Sequence, residues 1–359
     1  MRIDKGLTMN SKHAILRAAW LTGFSSAVRR SGWRNARLAI LCYHGVSLDD
    51  EHDALPELYV SPEHLRRRLE HLRRDGCAVL PLREGLDRLF AGRLPPRSIA
   101  LTFDDGTRDF SEVAVPLLIE FGMPATVYLT TYYCENPWPV FDTAIRYMLW
   151  RGRDSGVDLS DAIGGTSHRP LLLHSAAERT ATSAAISHRV RQTASTAVEK
   201  QDLLGRVARR VDVDFEAFLA KGQFSIMTPA QVARLPETLI DVQLHTHRHR
   251  TPRDEELFAR EIIDNRASLN RVLGNRTSTH FCYPSGDYGE SFLHWLKDLE
   301  MTSATTCVPG LASANSHPFL LPRFVDTSLI SELAFDSWLS GVADLLPRRR
   351  EFHLDVNRK

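Results

Sequence analysis

The sequence has few cysteines, and their spacing argues against two kinds of stabilising site. There are five in 359 residues, an odd number without a CxxC pair. They are Cys42, Cys77, Cys134, Cys282 and Cys307. This pattern disfavours a disulfide framework and a structural zinc bound by cysteines, and it favours a reducing compartment. We therefore expect a cytoplasmic protein.

Long hydrophobic runs and net charge are also lacking. No stretch approaches the roughly 20 apolar residues that a membrane-spanning helix needs. The nearest candidate, residues 14–28, contains Arg17 and has no clear cleavage site after it, so it is a poor secretory signal. Lys and Arg number 45 against 44 Asp and Glu, so no overall positive field predicts a nucleic acid as partner.

A basic amphipathic segment occupies residues 1–36. Large apolar side chains recur there at helical spacing, and cations surround them. The apolar set is Leu16, Trp20, Leu21, Phe24 and Val28, and the cations are Lys12, Arg17, Arg29, Arg30, Arg34 and Arg37. The pattern fits a helix resting on an anionic membrane surface, so a cytoplasmic protein associated with a membrane is one expectation. The alternative is a helix packed on the body of the protein, or a poorly ordered leader.

From residue 37 onward, short runs of β-forming residues alternate with helical patterns. Candidate strands cover residues 37–44, 77–82, 97–105, 125–131, 239–247, 279–284 and 302–307. They are apolar on both faces, as buried parallel strands are. Pro after a Ser or Thr N-cap predicts helix starts at Ser61, Thr228 and Thr251, the last helix running to Gly274. Strands alternating with helices predict an α/β protein made of βαβ units.

One region interrupts this alternation. Residues 151–222 contain no convincing strand and an Ala-rich helical pattern. Because strand signals resume directly after it, we expect a helical insertion within one domain, residues 37–345, rather than an independent domain. Residues 346–359 form a short charged tail that we expect to be peripheral.

Two carboxylates follow one of the buried strands, in the sequence TFDDG at residues 102–106. Parallel α/β folds place functional groups at the carboxyl ends of their strands. Adjacent carboxylates repel each other unless a cation separates their roles. Metal binding by one of them would leave the other free as a base. Alternatively, Asp104 and Asp105 simply cap the following helix.

Three histidines follow another strand, in HTHRH at residues 245–249. Imidazoles at i and i+4, together with one carboxylate, form a three-ligand site with positions open for water, which is a catalytic pattern. His247 would point elsewhere. An adventitious surface cluster is the other reading. Such a metal can polarise a carbonyl and lower the pKa of water, while a second carboxylate takes the proton, so the two motifs together predict hydrolysis of an amide or ester.

TFDDG followed by H-[ST]-x-x-H resembles the signature of the polysaccharide deacetylases, carbohydrate esterase family 4. The resemblance covers roughly residues 37–325 and implies a distorted (β/α)7 barrel. It also implies that Asp105, His245 and His249 bind a divalent metal, most simply Zn²⁺. Asp104 would be the general base, and Thr246 would brace the histidine loop.

FCYPSGDYG, residues 281–289, resembles the family's next motif but has Cys282 where many members have Arg. Our candidate to orient Asp104 is Arg323, since Arg can hold a carboxylate through two hydrogen bonds. A structural ion pair is the alternative role for Arg323. The resemblance also implies that the backbone of Tyr283, Pro284 and Ser285 helps to hold an oxyanion.

The family's late Leu-x-His motif, which supplies its general acid, has no obvious match. Instead, LCYHGVS places His44 at the end of the first strand, an arrangement similar to that of the permuted poly-N-acetylglucosamine deacetylases. His44 could then protonate a departing amine. A core histidine bonded to a neighbouring loop is the alternative.

Aromatic residues after the strand at 125–131 could stack on a sugar face. They are Tyr132, Tyr133, Trp138 and Phe141, with Asp142 as a hydroxyl partner. Packing beneath a loop is the other explanation for this cluster.

These features predict a metal-dependent N-deacetylase in glycan biosynthesis. It would act on an N-acetylated sugar in a glycan, or on a lipid-linked or nucleotide-linked precursor, and release acetate. Two alternatives remain: an esterase or small-molecule amidase on the same metal centre, and a glycan-binding barrel that has lost catalysis. Asp104 counts against the second, because binding a metal does not require it.

Overall fold

The computed structural model describes residues 9–347, apart from 137, 155–156, 158, 160–172, 194 and 275. Most of the predicted tail and the first eight residues therefore lie outside the described residues. The strands are β1 (Arg37–Tyr43), β2 (Gly45–Val46), β3 (Tyr59–Val60), β4 (Ala78–Val79), β5 (Ser98–Phe103), β6 (Ala125–Leu129), β7 (Ile240–Leu244), β8 (His280–Cys282), β9 (Ser303–Thr305), β10 (Ala312–Ser313) and β11 (Phe324–Val325).

The helices of the described residues surround these strands. They are α1 (Met9–Leu21), α2 (Phe24–Arg29), α3 (Gly32–Asn35), α4 (Glu51–Ala54), α5 (Pro62–Arg74), α6 (Leu82–Phe90), α7 (Val115–Phe121), α8 (Tyr132–Glu135), α9 (Phe141–Arg151), α10 (Ala176–Gln192), α11 (Ala197–Arg210), α12 (Phe215–Lys221), α13 (Pro229–Ala233), α14 (Glu255–Leu273), α15 (Phe292–Asp298), α16 (Glu332–Ser340) and α17 (Val342–Leu345). A π-helical stretch, Phe110–Ala114, precedes α7, and a 3₁₀ turn, Pro284–Gly286, follows β8.

The main sheet is mostly parallel and curled. Its parallel order is β1-β5-β6-β7-β8-β9, with β10 antiparallel to the start of β1, β11 parallel to the end of β1 and β4 beside β5. The chain between β10 and β11 bridges the two edges: Leu321 pairs with Thr305 of β9, and Phe324 pairs with Leu41 of β1. The α/β prediction of a distorted (β/α)7 barrel is confirmed.

Strand alternation divides the side chains between the inside and the outside of this barrel. In β1, Leu41 and Tyr43 join the main core beneath the outer helices, whereas Leu38 and Ile40 join a smaller inner core. Helix α6 contributes Leu86 to the inner core and closes the barrel at the amino ends of the strands. The carboxyl ends are left for polar groups.

Helices α10, α11 and α12 form the described part of the insertion, as expected, and they share a hydrophobic core with α9, Leu55 and Tyr59. The Ala-rich pattern forms two helices rather than one, because Thr196 and Glu199 form a capping box that starts α11. Ion pairs tie the insertion and helix α9, which leads into it, to the loop after β2: Arg146–Glu57 from α9, and Arg151–Asp50 and Lys221–Asp49 from the insertion. The division of the chain into a segment, a barrel and a tail stays a prediction.

Two helices differ from the sequence prediction: one begins later than expected, and the other is interrupted. The helix expected from Thr251 begins at Glu255, because the Asp254 side chain caps it by accepting from the Leu257 amide. At the N-terminus the single predicted helix is broken at Gly23, whose φ of 76° is left-handed. In the described part of the chain, no helix is both long enough and apolar enough to cross a membrane.

Candidate metal and catalytic site

The two carboxylates after β5 diverge because the backbone turns between them. The Asp104 amide continues the sheet by donating to Tyr43 (2.9 Å), so its side chain points into the barrel. Asp105 then has a left-handed φ of 68°, a costly conformation for a residue with a Cβ and one that is often found at functional sites. Gly106 completes the turn, and a Cβ there would lie 2.2 Å from Leu129.

The loop that carries the histidines also turns through residues with left-handed backbone. β7 ends at Leu244, and the His245 amide donates to Asn265 Oδ1 (2.9 Å). Thr246 and His249 both have left-handed φ angles, 62° and 54°. The turn stacks the rings of His245 and His249 edge to face, with centroids 5.0 Å apart. Thr246 Oγ1 accepts from the Arg250 amide (3.1 Å), so this side chain does brace the loop.

Asp105, His245 and His249 meet at one point. Asp105 Oδ1 lies 3.1 Å from Nε2 of His245 and 3.1 Å from Nε2 of His249. Ligand atoms about 2.0–2.1 Å from a tetrahedral zinc are about 3.3 Å apart, so these three donors fit such an ion closely. His245 is buried, whereas Asp105 and His249 are partly exposed, which leaves solvent access on one side.

The surroundings fix the charge and the orientation of these groups. His245 Nδ1 lies 2.8 Å from the Cys282 carbonyl, which leaves Nε2 for a ligand bond, as in many metal-binding histidines. Burial alone would raise the pKa of Asp105, but His249 and His245 lower it well below its usual range. Burial lowers the pKa of His245, but Asp105, Asp104 and the Cys282 carbonyl together outweigh burial, so the pKa is raised.

Asp104 is buried beside Arg323. Arg323 Nη1 donates to Asp104 Oδ1 and Nη2 to Oδ2, both at 2.7 Å, which is the two-bond geometry of a strong ion pair. Burial would raise the pKa of Asp104, but Arg323 lowers it far below its usual range. Arg323 reaches this position because it lies in the segment that closes the barrel between Leu321 and Phe324. Arg323 Nη2 is also 3.1 Å from Sγ of Cys282, the residue that stands where many members of the resembled family have Arg.

His44 lies on the same side as Asp104. Its Nε2 is 3.9 Å from Asp104 Oδ2, and its side chain is 21% exposed. The backbone after it is held tightly: a Cβ on Gly45 would lie 2.1 Å from the Tyr59 ring. His44 therefore faces Asp104 from the end of β1 while keeping access to solvent.

Asp109 is a buried carboxyl group that the sequence motifs did not identify. Its Oδ1 accepts from the Val46 amide (2.7 Å) and from Thr107 Oγ1 (3.0 Å). It thereby joins the turn after Asp105 to the strand that follows His44. Burial raises the pKa of Asp109 to about 7. The only sequence signal was its position three residues after the TFDDG motif.

The loop after β8 contains the backbone expected to help hold an oxyanion. Tyr283 has a buried ring whose hydroxyl donates to Phe319 O (3.0 Å), and its amide donates to Thr305 O (3.3 Å). Pro284 has no amide hydrogen. Ser285 has a left-handed φ of 56°, and its amide has no acceptor among the described residues. Of the predicted oxyanion donors, only Ser285 is therefore available.

The residues predicted to contact a sugar, among them Trp138 and Asp142, are separate from the cluster of Asp105, His245 and His249. The Trp138 side chain is 42% exposed. Asp142 accepts a hydrogen bond from Ser187 Oγ (2.5 Å) and thereby links α9 to α10. Sugar contacts by Trp138 and Asp142 stay predictions. His247 points away from the metal donors, as expected, with Nδ1 2.9 Å from Thr131 Oγ1.

Comparisons with known proteins agree on one family. The model of that family, described as polysaccharide deacetylase, matches residues 91–203 and 181–304. The described fold is similar to the Streptococcus pyogenes deacetylase PplD, at 19% identity over 87% of this chain and 99% of that one, with a TM-score of 0.54. It is also similar to IcaB from Ammonifex degensii, at 18% identity over 85% and 97%, with a TM-score of 0.52. No curated protein sequence matches.

Proposed function

The chain belongs to the polysaccharide deacetylase family, and from that premise we propose that it is a metal-dependent hydrolase that removes the N-acetyl group from an amino sugar in a glycan or glycan precursor. The observation that carries the proposal is the meeting of Asp105, His245 and His249 within ligand distance, beside a buried carboxylate that is not needed for metal binding. Products would be acetate and a free amine.

A divalent ion, most simply Zn²⁺, would be held by Asp105, His245 and His249, and it would polarise the acetamide carbonyl and acidify a water. Asp104 accepts the proton of the attacking water, and Arg323 keeps that carboxylate ionised and fixed in direction. The Ser285 amide donates to the developing oxyanion. His44 donates a proton to the nitrogen as the C–N bond breaks, so that the amine leaves neutral.

The substrate and location belong to the same proposal. Cysteine usage supports a cytoplasmic step, so we favour an N-acetylated sugar carried on a lipid or a nucleotide. The structural neighbour from Streptococcus pyogenes was solved with acetate, the product expected here.

Acetate release tests the proposal. The metal-loaded enzyme is given N-acetylglucosamine oligomers, a lipid-linked N-acetylated glycan and an O-acetylated sugar. We expect acetate from an N-acetylated substrate, loss on chelation, recovery with Zn²⁺ and loss in Asp104→Asn. The matched control is Asp298→Asn, an exposed aspartate on α15, which should keep activity. Release from the O-acetylated sugar alone would assign an esterase instead. No release from any substrate would contradict catalysis.

A further inference from the structure

We propose that helices α1 and α2 form a surface that binds an anionic lipid bilayer. We call it the N-terminal patch: its apolar members are Ile15, Trp20, Leu21 and Phe24, and its cations are Lys12, Arg17 and Arg30. This inference concerns a surface outside the catalytic site, and it stands or falls independently of the proposed function.

The apolar members are left exposed by the way the two helices pack. Trp20, Leu21 and Phe24 are 58%, 66% and 51% exposed, and Ile15 is 38% exposed. They fall within ten residues, around the break at Gly23. The opposite side of the segment is anchored, since Val28 is buried and the buried Arg34 donates to Leu339 O (2.7 Å). Helix packing on the barrel therefore uses other residues and leaves these free.

The cations of the patch differ from the other cations of the segment in their surroundings. Among the described residues, Lys12, Arg17 and Arg30 form no ion pair, whereas Arg29 in the same segment bridges Asp75 and Asp336. Residues 1–37 contain eight Lys or Arg and one acidic residue, while the other 322 residues contain 37 basic and 43 acidic ones. The chain is neutral overall, so this local excess of positive charge marks one end of it.

Exposed aromatic and aliphatic side chains next to these cations match the chemistry of an anionic bilayer surface. The apolar groups enter the acyl boundary, Trp favours the interface, and Lys and Arg meet the headgroups. A groove of about 1320 Å³ runs alongside, with Arg17 and Trp20 on one wall and Arg67 and Arg74 of α5 on the other. Acidic side chains also line this groove, namely Glu70, Asp75, Glu332 and Asp336, so the excess of positive charge belongs to the patch and not to the groove. The aliphatic Ile15 and Leu21 favour a bilayer over a nucleic acid, because an acyl boundary can bury them and a phosphate backbone cannot.

Co-sedimentation with vesicles tests this surface, using the full metal-loaded chain. Vesicles of mixed phosphatidylglycerol and phosphatidylcholine are compared with phosphatidylcholine alone. We expect binding to the anionic vesicles, and weaker binding as salt rises. The double variants Leu21→Asp/Phe24→Asp and Arg17→Glu/Arg30→Glu should each bind at least about tenfold more weakly.

The matched control is Val198→Asp, because Val198 on α11 is as exposed as Leu21, at 66%. It should bind the anionic vesicles like the native protein. Acetate release from a soluble substrate should be the same in all variants, which separates loss of membrane binding from loss of folding. Absence of native binding to anionic vesicles, or unchanged binding in both double variants, overturns the proposal. So does a dimer, seen by light scattering without lipid, that both double variants dissociate.

Discussion

Asp104 and Asp105 are adjacent in the chain, yet the two sides of the site that they begin are built differently. On the Asp105 side, three donors meet through left-handed backbone at Asp105, Thr246 and His249, and solvent reaches two of the donors. On the Asp104 side, Arg323 holds a buried carboxylate through two hydrogen bonds, and the thiols of Cys42 and Cys282 contact one of its oxygens.

This difference lets the two adjacent carboxylates have different proposed roles, metal binding for Asp105 and proton acceptance for Asp104. Both groups stay ionised, but one is stabilised by imidazoles that a cation can bind and the other by a fixed guanidinium. Arg323 already neutralises Asp104 by donating to both of its oxygens, and each oxygen keeps a further lone pair that can accept a proton from water. A substitution on one side of the site should therefore leave the other side intact.

The largest effect is expected on the metal side. His245→Ala removes a buried side chain that we propose as a metal ligand, so we expect metal content to fall and acetate release to drop at least about a thousandfold. His294→Ala, an exposed histidine on α15, should change neither. Metal analysis after dialysis, together with acetate release, measures both. Full metal content in His245→Ala would show that the ligands are wrongly assigned.

Removal of His44, the proposed general acid, should slow the hydrolysis of an amide more than that of an ester with a good leaving group. His44→Ala is expected to slow amide hydrolysis about a hundredfold, because an amine leaves poorly unless protonated. An aryl acetate needs no such proton, so its hydrolysis by the variant should stay near the native rate, with metal content unchanged. Equal losses on both substrates would contradict the role of His44 as acid.

The Asp104 side should be the side that matters for stability. Arg323→Met leaves a buried carboxylate unpaired, which costs about 3–5 kcal/mol of unfolding free energy. Arg271→Met breaks the exposed pair with Glu135 (2.7 Å) and should cost less than about 1 kcal/mol. Urea unfolding of the two variants measures the contrast. Similar costs would mean that the Arg323 pair is worth no more than a surface pair.

The smallest effect on activity is expected at Asp109, where charge and hydrogen bonding can be separated. Its pKa is raised in the folded state to about 7, so the stability associated with its protonated form is full below about 4 and is lost as pH rises through 7. Asp109→Asn keeps an acceptor for Val46 and cannot ionise. Its gain in unfolding free energy over the native protein should therefore be larger at pH 8 than at pH 5. Urea unfolding at both values checks this, and an equal difference would contradict it.

The sequence was most informative where a motif directly follows a strand. The motifs TFDDG and HTHRH could be expected at one site because parallel strands end at one edge of the barrel, whereas the choice of Asp105, His245 and His249 as ligands came from the resemblance to polysaccharide deacetylases. Arg323 was a candidate without a motif, since its position depends on how residues 321–325 close the sheet, and such closure has no local signal. Asp109 was missed because its partner, the Val46 amide, is 63 residues away and belongs to the backbone.

Element boundaries were less predictable, for reasons of local competition. A capping side chain at Asp254 overrode the Thr-Pro signal at Thr251, and the left-handed Gly23 divided a pattern that looked continuous. The two-residue strands β10 and β11 were not predicted, because so short a pairing leaves no periodicity to detect. These segments are nevertheless the ones that complete the barrel around Asp104.

The most direct measurement of the division between the two carboxylates is a calorimetric titration of Zn²⁺ into the chelated variants Asp104→Asn and Asp105→Asn, paired with acetate release. We predict that Asp104→Asn binds one Zn²⁺ with near-native affinity yet releases almost no acetate, while Asp105→Asn loses most of its affinity. Equal loss of zinc in both variants, or a fully active Asp104→Asn, would contradict the account.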